Sequence, residues 1–300
     1  MKIIYKIAIL LFLSTVTVSC IRDELQECPP LRVNIAVKDK NYFNVDNVAL
    51  EERKSENLPF REYVPTLFYT LRDLKTGEIV DESDVINVKG DNQVYTADFC
   101  PCIPHGTYIL TVWGGMKDMD SHNDDYTSMT FHPEHINGRD MYLVNDTLEY
   151  TPTKYDYTVE MERVKGKLII QAENLPEGIE FSEKSVNNLF GGVNHKFEYS
   201  GTTHVATSQQ WQGNEVITKT ILAPSISEKA SKLEVRLHDG SLLSRSGDLS
   251  IIDAYQVSIT MSRNKLTVVR YVWNQYKNDF DIYVLIDDNW EKVHGMQIEE

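Results

Sequence analysis

Two histidines and a run of carboxylates are the side chains in this sequence that could bind a metal ion. His132 and His135 are separated by Pro133 and Glu134. The proline disfavours a helix that would align both rings, and zinc sites use three or four ligands where the sequence offers two. Segment 118–125 has oxygen ligands at a spacing that suits calcium, but it lacks the central glycine and closing glutamate of an EF-hand loop. We therefore expect a solvated acidic loop and no metal site.

The sequence contains none of the motifs that mark common catalytic sites. It has no nucleophile elbow, no zinc-protease helix motif, no phosphate-binding loop and no glycine-rich dinucleotide turn. Its many carboxylates cannot be sorted into an acid and a base without a pocket that holds them. We expect a protein that is not an enzyme and that uses no cofactor other than a covalent lipid.

The first residues of the chain carry the pattern of an export signal. Lys2 and Lys6 form a short positive region, residues 7–13 are apolar, and small or β-branched residues follow up to Cys20. The apolar run is shorter than the roughly 20 residues that a membrane-spanning helix needs, so we expect no membrane span here. We assign residues 1–19 to a signal peptide.

The residues before Cys20 also predict a chemical modification. The segment Thr17-Val18-Ser19-Cys20 is similar to a bacterial lipobox, in which a small residue precedes a cysteine that is lipidated and becomes the mature N-terminus. Thr17 stands where leucine is usual. The alternative is an ordinary secretory signal, after which Cys20 would be free to form a disulfide.

A lipidated Cys20 would hold the whole protein at a membrane. One acyl chain binds only reversibly, at about 0.8 kcal/mol for each buried methylene, but bacterial lipoproteins carry more than one chain. Residues 20–30 would then form a lipidated tether. The acidic residues between Asp23 and Glu27 resemble the export tags of lipoproteins that reach the outer face of the outer membrane. We therefore expect an outer-membrane location with surface exposure.

Three further cysteines predict one structural disulfide. If Cys20 is lipidated, then Cys28, Cys100 and Cys102 remain. Export implies an oxidising compartment, so we expect a bridge from Cys28 to either Cys100 or Cys102, which would staple the tether to the first domain. The Cys100-Pro101-Cys102 segment could instead be a small redox or metal motif, but one such pair without further ligands is a weak signal.

Charge and length limit the partners and the number of domains. The 300 residues carry a formal net charge of −15. A chain this acidic is repelled by phosphate backbones, and no basic cluster with interleaved aromatic residues offsets that repulsion. We therefore expect no nucleic-acid partner. The residues that follow the signal are enough for two domains.

Short strands separated by turn signals recur along the chain and predict an all-β fold. Val33, Ile35 and Val37 alternate with polar or small residues, which is typical of a half-buried strand. Residues 107–113 form a strand rich in β-branched and aromatic side chains. Residues 38–62 are polar and charged, and we predict a long exposed loop there, with or without a helical turn.

The strand pattern restarts near residue 153, and this restart predicts a domain boundary. Many short strands with turn signals between them are typical of β-sandwiches. We therefore predict two tandem β-sandwich domains, which span residues 31–153 and residues 154–300.

Several of these segments together resemble one known family. They are the cysteine pair Cys20 and Cys28, the strand Leu31-Arg32-Val33, the turn and strand from Pro104 to Gly115, and the alternating strand from Tyr155 to Arg163. In this order they look like the FimB-type fimbrial-anchor lipoproteins, the fimbrillin-associated family of Gram-negative anaerobes. The additional Cys100-Pro101-Cys102 segment departs from that family.

The resemblance implies two transthyretin-like or Ig-like β-sandwich domains and a lipid anchor at the base of a fimbrium. It implies that the protein holds the fimbrial shaft pilin and helps to limit the length of the fibre. Subunits of this class join when one donates a strand to the open sheet of a neighbour, so that main-chain hydrogen bonds provide the affinity.

One strand near the C-terminus is a candidate for such an exchange. Phe280, Ile282, Val284 and Ile286 have the alternation that a donated or receiving strand needs. An internal core strand would show the same alternation, so both interpretations stay open.

The main alternative function is that of a surface glycan-binding lipoprotein, also built of β-sandwiches and tethered by Cys20. It predicts an exposed aromatic platform, whereas a fimbrial anchor predicts an apolar groove or an open edge strand.

Overall fold

The computed structural model describes residues 29–100, 102–210, 215–239, 250–286 and 289–294. Within these ranges almost all regular structure is β-strand, which confirms the predicted all-β class. None of the helices in the same ranges is long and apolar enough to cross a membrane. The predicted signal peptide and Cys20 lie outside the described residues and stay predictions.

The N-terminal half is one eight-stranded sheet that folds back on itself. Its strands are β1 (Arg32–Val37), β2 (Thr66–Asp73), β3 (Ile79–Glu82), β4 (Ile86–Asn87), β5 (Tyr95–Asp98), β6 (Gly106–Gly114), β8 (Tyr142–Tyr150) and β9 (Asp156–Arg163). The order is β3-β2-β6-β8-β9-β1-β5, with β4 on β2. β8 and β9 pair at only two positions, so the sheet bends there. The inward side chains of β2, β6 and β8 pack against those of β1, β5 and β9 in one core. The arrangement is therefore a sandwich.

The C-terminal half is a second sandwich made of two separate sheets. Its strands are β10 (Gly166–Glu173), β11 (Ile179–Leu189), β14 (Thr203–Gln210), β15 (Val216–Leu222), β16 (Ser231–Asp239), β17 (Ser250–Ile259), β18 (Leu266–Asn274), β19 (Asp279–Ile286) and β20 (Asn289–His294). One sheet has the order β15-β10-β18-β19-β20, and the other has the order β14-β11-β16-β17. Buried aliphatic residues such as Leu168, Val186 and Leu233 fill the space between the sheets.

A small third sheet ties the two sandwiches together. It is formed by β7 (Ser128–Thr130), β12 (Gly192–Asn194) and β13 (Tyr199–Ser200), in the order β13-β12-β7. β7 comes from a loop of the N-terminal half, and β12 and β13 come from the C-terminal half. The largest hydrophobic cluster accordingly contains Trp113 and Phe131 from the first half beside Val193 from the second.

The position of β9 corrects the predicted domain boundary. β9 pairs in parallel with β1 from Asp156 to Met161, and its last two residues pair with β8, so it belongs to the N-terminal sandwich. The restart of the strand pattern predicts that the first domain ends at residue 153, whereas the first sandwich extends through Arg163. A restart of the alternation marks a new strand, and it carries no information on which sheet the strand joins.

The predicted loop over residues 38–62 is packed more closely than expected. It contains one helical turn, α1 (Val45–Val48), and two 3-10 turns, Leu50–Glu52 and Phe60–Glu62. Tyr42, Val45 and Ala49 lie buried against Ile169 and Val268 on the outer face of the five-stranded sheet. Their spacing of three and four residues places them on one side of a helical turn, so this segment covers part of that face.

A buried arginine joins the loop, the first sandwich and the second. The Arg163 side chain is 2% exposed, and its Nε lies 2.9 Å and 3.0 Å from the two carboxylate oxygens of Asp140. Its other nitrogens donate to the Asn264 amide oxygen and to the Tyr142 hydroxyl. The guanidinium also lies 4.1 Å from the centroid of the Tyr42 ring. Arg163 therefore contacts every segment that meets at this junction.

Candidate functional site

The first described residues lead directly into the N-terminal sandwich. The carbonyl of Pro29, the first described residue, accepts a 2.8 Å hydrogen bond from the Tyr150 hydroxyl. Three residues later β1 begins, with the Arg32 amide donating to the Tyr155 carbonyl at 2.7 Å. β1 lies between β9 and β5, so these residues lead into an internal strand of the sheet.

The disulfide in the structure differs from the predicted one. Cys100 and Cys102 are bonded to each other, with their Cα atoms 5.2 Å apart, and Cys28 lies outside the described residues. The predicted bridge from Cys28 to one of this pair is therefore corrected. The start of β1 lies near this pair, because the Phe99 amide donates to the Leu31 carbonyl at 2.9 Å.

Disulfide mapping of the exported protein tests this pairing. We expect mass spectrometry of a non-reduced digest to find Cys100 and Cys102 oxidised within one peptide. Reduction should then raise the mass of that peptide by two hydrogens and release no second peptide. A peptide pair that links Cys28 to either residue would contradict the structure and restore the sequence-based prediction.

The strand-exchange candidates lie in an internal strand. β19 is hydrogen-bonded to β18 on one side and to β20 on the other, so its main chain is occupied on both sides. Phe280, Ile282 and Val284 are buried, and the Phe280 ring packs edge-on against Trp273 at 4.9 Å. Ile286 ends the strand. The structure therefore places this strand in the core, and the open edges lie elsewhere.

Two open edges of the C-terminal sandwich face one another across a groove. Within the described residues, β20 ends the five-stranded sheet and β17 ends the four-stranded sheet. Two adjoining cavities of about 300 Å³ and about 570 Å³ lie along this seam, and Lys229, Ser258 and Val284 line both. We call them together the β17/β20 groove. It places the buried valines Val257 and Val284 beside two strand edges.

The floor and the ends of the β17/β20 groove differ in character. Val257, Val284 and Val293 supply apolar surface, and Glu291 and His294 supply polar groups near β20. The other end is closed by the segment that contains α1, whose Asn44 side chain exchanges two 2.9 Å hydrogen bonds with the Leu266 main chain. The groove therefore carries both polar and apolar groups and is bounded at one end by the segment that contains α1.

Ion pairs on the outer face hold β20 in place. Lys292 Nζ lies 2.9 Å from Asp281 Oδ1, and His294 Nε2 lies 3.1 Å from Asp279 Oδ2. Burial raises the pKa of Asp281, but hydrogen bonds, the first of them from Lys292, outweigh it and hold the pKa below its usual value. These contacts join β20 to the neighbouring strand β19 through partly buried side chains.

The sequence pattern does not predict β20. Its residues are mostly exposed, so the hydrophobic alternation that marks a strand is faint there. Trp290, Glu291, Lys292 and Val293 do not alternate between apolar and polar residues, so the sequence carries no strand signal there. An edge strand buries few side chains, and its role is visible only when the sheet is assembled.

The histidine pair does not form a metal site. His132 is buried, its Nε2 accepts from the Ala223 amide at 3.1 Å, and its Nδ1 lies 2.9 Å from the Ile136 carbonyl oxygen. Burial, together with the charge of Lys165, lowers the pKa of His132 to about 3. Both of its ring nitrogens are used by the backbone, while His135 stacks on another histidine ring at 4.0 Å.

The side chains of the acidic loop likewise form hydrogen bonds with one another. Asp125 accepts from the Thr127 hydroxyl at 2.6 Å and from the Asn123 amide, and these bonds, that of Thr127 foremost, lower its pKa. Across the described ranges, no group of three or more His, Cys, Asp or Glu side chains could hold a metal ion.

A third histidine, His122, makes the stability of the fold depend on acidic pH. His122 packs against Trp113, Phe68 and Tyr126, and neither of its ring nitrogens has a hydrogen-bond partner among the described residues. Burial lowers the pKa of His122 from 6.5 to about 4. Between these values the unfolded chain binds a proton that the folded chain does not, so stability falls as the pH drops through this window.

Replacing His122 with phenylalanine should remove that acid sensitivity. We expect wild-type protein to lose roughly 3 kcal/mol more unfolding free energy between pH 7 and pH 4 than His122→Phe does. Urea unfolding monitored by circular dichroism at both pH values measures the difference. Parallel losses in the two proteins would show that the His122 ring does not titrate as its burial implies.

The fold resembles several solved structures. No protein-family model and no curated protein matches the chain. A candidate adhesin from Bacteroides thetaiotaomicron is 13% identical, covers 90% of this chain and 100% of its own, and has a TM-score of 0.60. A candidate polysaccharide-binding protein from the same species is 11% identical, covers 88% and 98%, and has a TM-score of 0.55.

A fimbrial protein shares the same architecture. The fimbrial anchor protein Mfa2 from Porphyromonas gingivalis is 12% identical, covers 89% of this chain and 99% of its own, and has a TM-score of 0.53. Identities this low show the fold alone. Over nearly its whole length, the chain therefore has the same fold as a fimbrial anchor protein and a candidate adhesin.

Proposed function

We propose that the protein is a non-catalytic outer-membrane lipoprotein that anchors a fimbrium at its base and helps to limit its length. The β17/β20 groove is the observation that carries this proposal. Strand complementation requires open strand edges, and within the described residues the groove lies between two of them, β17 and β20. The fold shared with a fimbrial anchor protein supports the same function.

In this proposal the two halves have different tasks. The lipid on Cys20 and the tether up to Pro29 attach the N-terminal sandwich to the outer membrane. The C-terminal sandwich receives a strand of the shaft pilin in the β17/β20 groove, where side chains of that strand would reach Val257 and Val284. Main-chain hydrogen bonds would supply the affinity, and the two valines would select the apolar positions of the incoming strand.

A tryptophan that fills the groove tests the docking step. Ser258 is exposed on the edge strand β17, and Ser208 is equally exposed on β14, the edge strand at the opposite side of the same sheet. In cells, Ser258→Trp should shed or lose its surface fibres, whereas Ser208→Trp should keep them. Normal fibre length and attachment in Ser258→Trp, at wild-type protein levels, would refute docking at this groove.

A Cys20→Ala variant tests the anchoring step separately. We expect this variant to leave the membrane fraction and the cells to release their fibres or make overlong ones. If the protein leaves the membrane while fibres remain normal, Cys20 carries the lipid but the protein does not anchor the fimbrium. If the protein stays in the membrane fraction, Cys20 does not carry the lipid that attaches it.

Glycan binding is the second candidate function, and an aromatic pair on the outer face favours it. Trp290 is 43% exposed and lies opposite Leu285 in the sheet, while Lys292 lies opposite Tyr283. Trp290 and Tyr283 are therefore diagonal neighbours on the outer face, about 7–8 Å apart, a spacing within reach of a sugar chain. The Arg270 guanidinium lies 5.9 Å from the Trp290 ring and provides hydrogen-bond donors beside it.

Glycan-array binding distinguishes the two functions. If the outer face binds polysaccharide, Trp290→Ala should abolish array signals. Tyr276→Ala, which removes a fully exposed ring at the tip of the β18–β19 hairpin, should keep them. Wild-type protein that binds no glycan on the array would leave the fimbrial anchor as the better-supported function.

A further inference from the structure

A cleft of about 600 Å³ lies where the two sandwiches meet. Gly115 follows β6 and Met141 precedes β8 on the N-terminal side of this junction cleft, and Lys165 precedes β10 on the C-terminal side. Pockets of this volume at domain junctions are common places for ligands, particularly when apolar walls surround a few polar groups. The junction cleft is separate from the β17/β20 groove, and nothing in the proposed function uses it.

The buried end of the junction cleft holds an unpaired ammonium group. Lys165 is 3% exposed, and within the described part of the chain its Nζ makes no hydrogen bond or ion pair. The Lys165 Nζ lies over the face of the Phe131 ring, 4.8 Å from the ring centroid. Both carboxylate oxygens of Asp140 already accept hydrogen bonds from the Arg163 Nε. A buried charge without a hydrogen-bond partner is costly, so an anionic partner would be bound strongly.

The backbone leaves room for this ammonium. A β-carbon on Gly138 would lie 2.7 Å from Lys165 Nζ and 2.8 Å from His132 Cε1, so only glycine allows the present arrangement. His132 lines the same wall, but both of its ring nitrogens are bonded to backbone groups. Lys165 is therefore the polar group at this wall that is available to a ligand.

The walls of the junction cleft suit an apolar ligand body. Met116, Met129 and Met141 line the cleft and are almost fully buried, and methionine side chains adapt to ligands of different shapes. The rim carries charges of both signs, from Lys117, Asp118, Asp120, Glu134 and Arg139. Since these charges are nearly balanced, the lysine at the buried end determines which ligand charge is preferred.

We propose that the junction cleft binds a carboxylate carried on an apolar body, with the carboxylate paired to the Lys165 ammonium and the body packed against the three methionines. Burial lowers the pKa of Lys165 to about 8, so the group is still largely protonated at neutral pH and can form this pair. Such a carboxylate could belong to a small organic acid or to the end of a peptide chain. The experiment must separate these two sources.

Calorimetric titration with four probes tests the proposal and its two sources. Hexanoate represents a small acid and N-acetylleucine a peptide end, and hexanamide and N-acetylleucinamide are their uncharged controls. We expect at least one acid to bind wild-type protein about 30-fold more tightly than its amide. Binding of hexanoate alone would identify a small acid, and binding of N-acetylleucine alone would identify a peptide end. If neither acid binds more tightly than its amide, the proposal is wrong.

Two lysine variants locate the binding. Lys165→Met should lose the preference for the acid, whereas Lys117→Met, at the rim of the same cleft, should keep it within about twofold of wild type. An acid preference that survives in Lys165→Met would overturn the assignment.

Reductive methylation of wild-type protein gives a readout that does not depend on the folding of a variant. The bound acid should slow modification of Lys165 and leave that of Lys117 unchanged, and equal rates at Lys165 with and without acid would overturn the proposal.

Discussion

Replacing Arg163 with methionine should lower the free energy of unfolding by about 3–5 kcal/mol. Methionine fills a similar volume, so the loss would come from the polar partners and not from a cavity. The Asp140 carboxylate, the Asn264 amide oxygen and the Tyr142 hydroxyl would each lose a donor at a site that water reaches poorly. Urea unfolding of the purified protein, followed by circular dichroism, measures this change.

A surface arginine provides the matched control for this prediction. Arg270 forms two 2.6 Å hydrogen bonds to Glu173, but its side chain is 40% exposed. Arg270→Met should therefore cost about 0–1 kcal/mol, because water replaces most of an exposed ion pair. Arg163→Lys should be intermediate, since an ammonium keeps the charge beside Asp140 but cannot present the forked donors of a guanidinium. Equal losses for the two methionine variants would contradict the structural role of Arg163.

Gly115→Ala should cost about 2–5 kcal/mol of unfolding free energy. Gly115 has a φ of +84°, and a β-carbon there would lie 2.0 Å from the Asp140 carbonyl oxygen. The backbone of β6 cannot yield easily, because the Gly115 amide donates to the Thr66 carbonyl at 2.9 Å. Thermal and urea unfolding of the variant would measure the loss.

A second glycine separates backbone strain from steric contact. Gly77 has a similar φ of +76°, but nothing lies within 4 Å of the position that its β-carbon would occupy. Gly77→Ala should therefore cost only the left-handed backbone penalty of about 1–2 kcal/mol. If Gly115→Ala and Gly77→Ala lose the same stability, the close approach to Asp140 does not constrain the fold.

Both large predictions concern the same junction. Asp140 accepts the Arg163 guanidinium through its side chain and lies against Gly115 through its carbonyl. The effects of Arg163→Met and Gly115→Ala should accordingly be less than additive in the double variant, because each disturbs the position of Asp140. The measurement is a double-mutant cycle of urea unfolding, and strict additivity would show that the two contacts are independent.

The sequence by itself determined the class of the fold and many of its strands. Alternation in Val33, Ile35 and Val37 predicted β1, and the β-branched and aromatic residues 107–113 predicted the middle of β6. Such patterns are local, since a strand with one buried face shows its period of two whatever its neighbours are. The signal peptide and Cys20 also rest on local patterns, and they stay predictions.

Only the tertiary structure decided which strands and side chains meet. β9 joined the first sandwich, β19 lay inside a sheet, and Cys100 paired with Cys102, because each depends on partners that local alternation does not specify. The burial of Lys165 could not be predicted either, since its neighbours in sequence resemble an ordinary turn. The β17/β20 groove and the junction cleft both form where segments distant in sequence converge, and pairing between such segments is set by the packing of the whole chain.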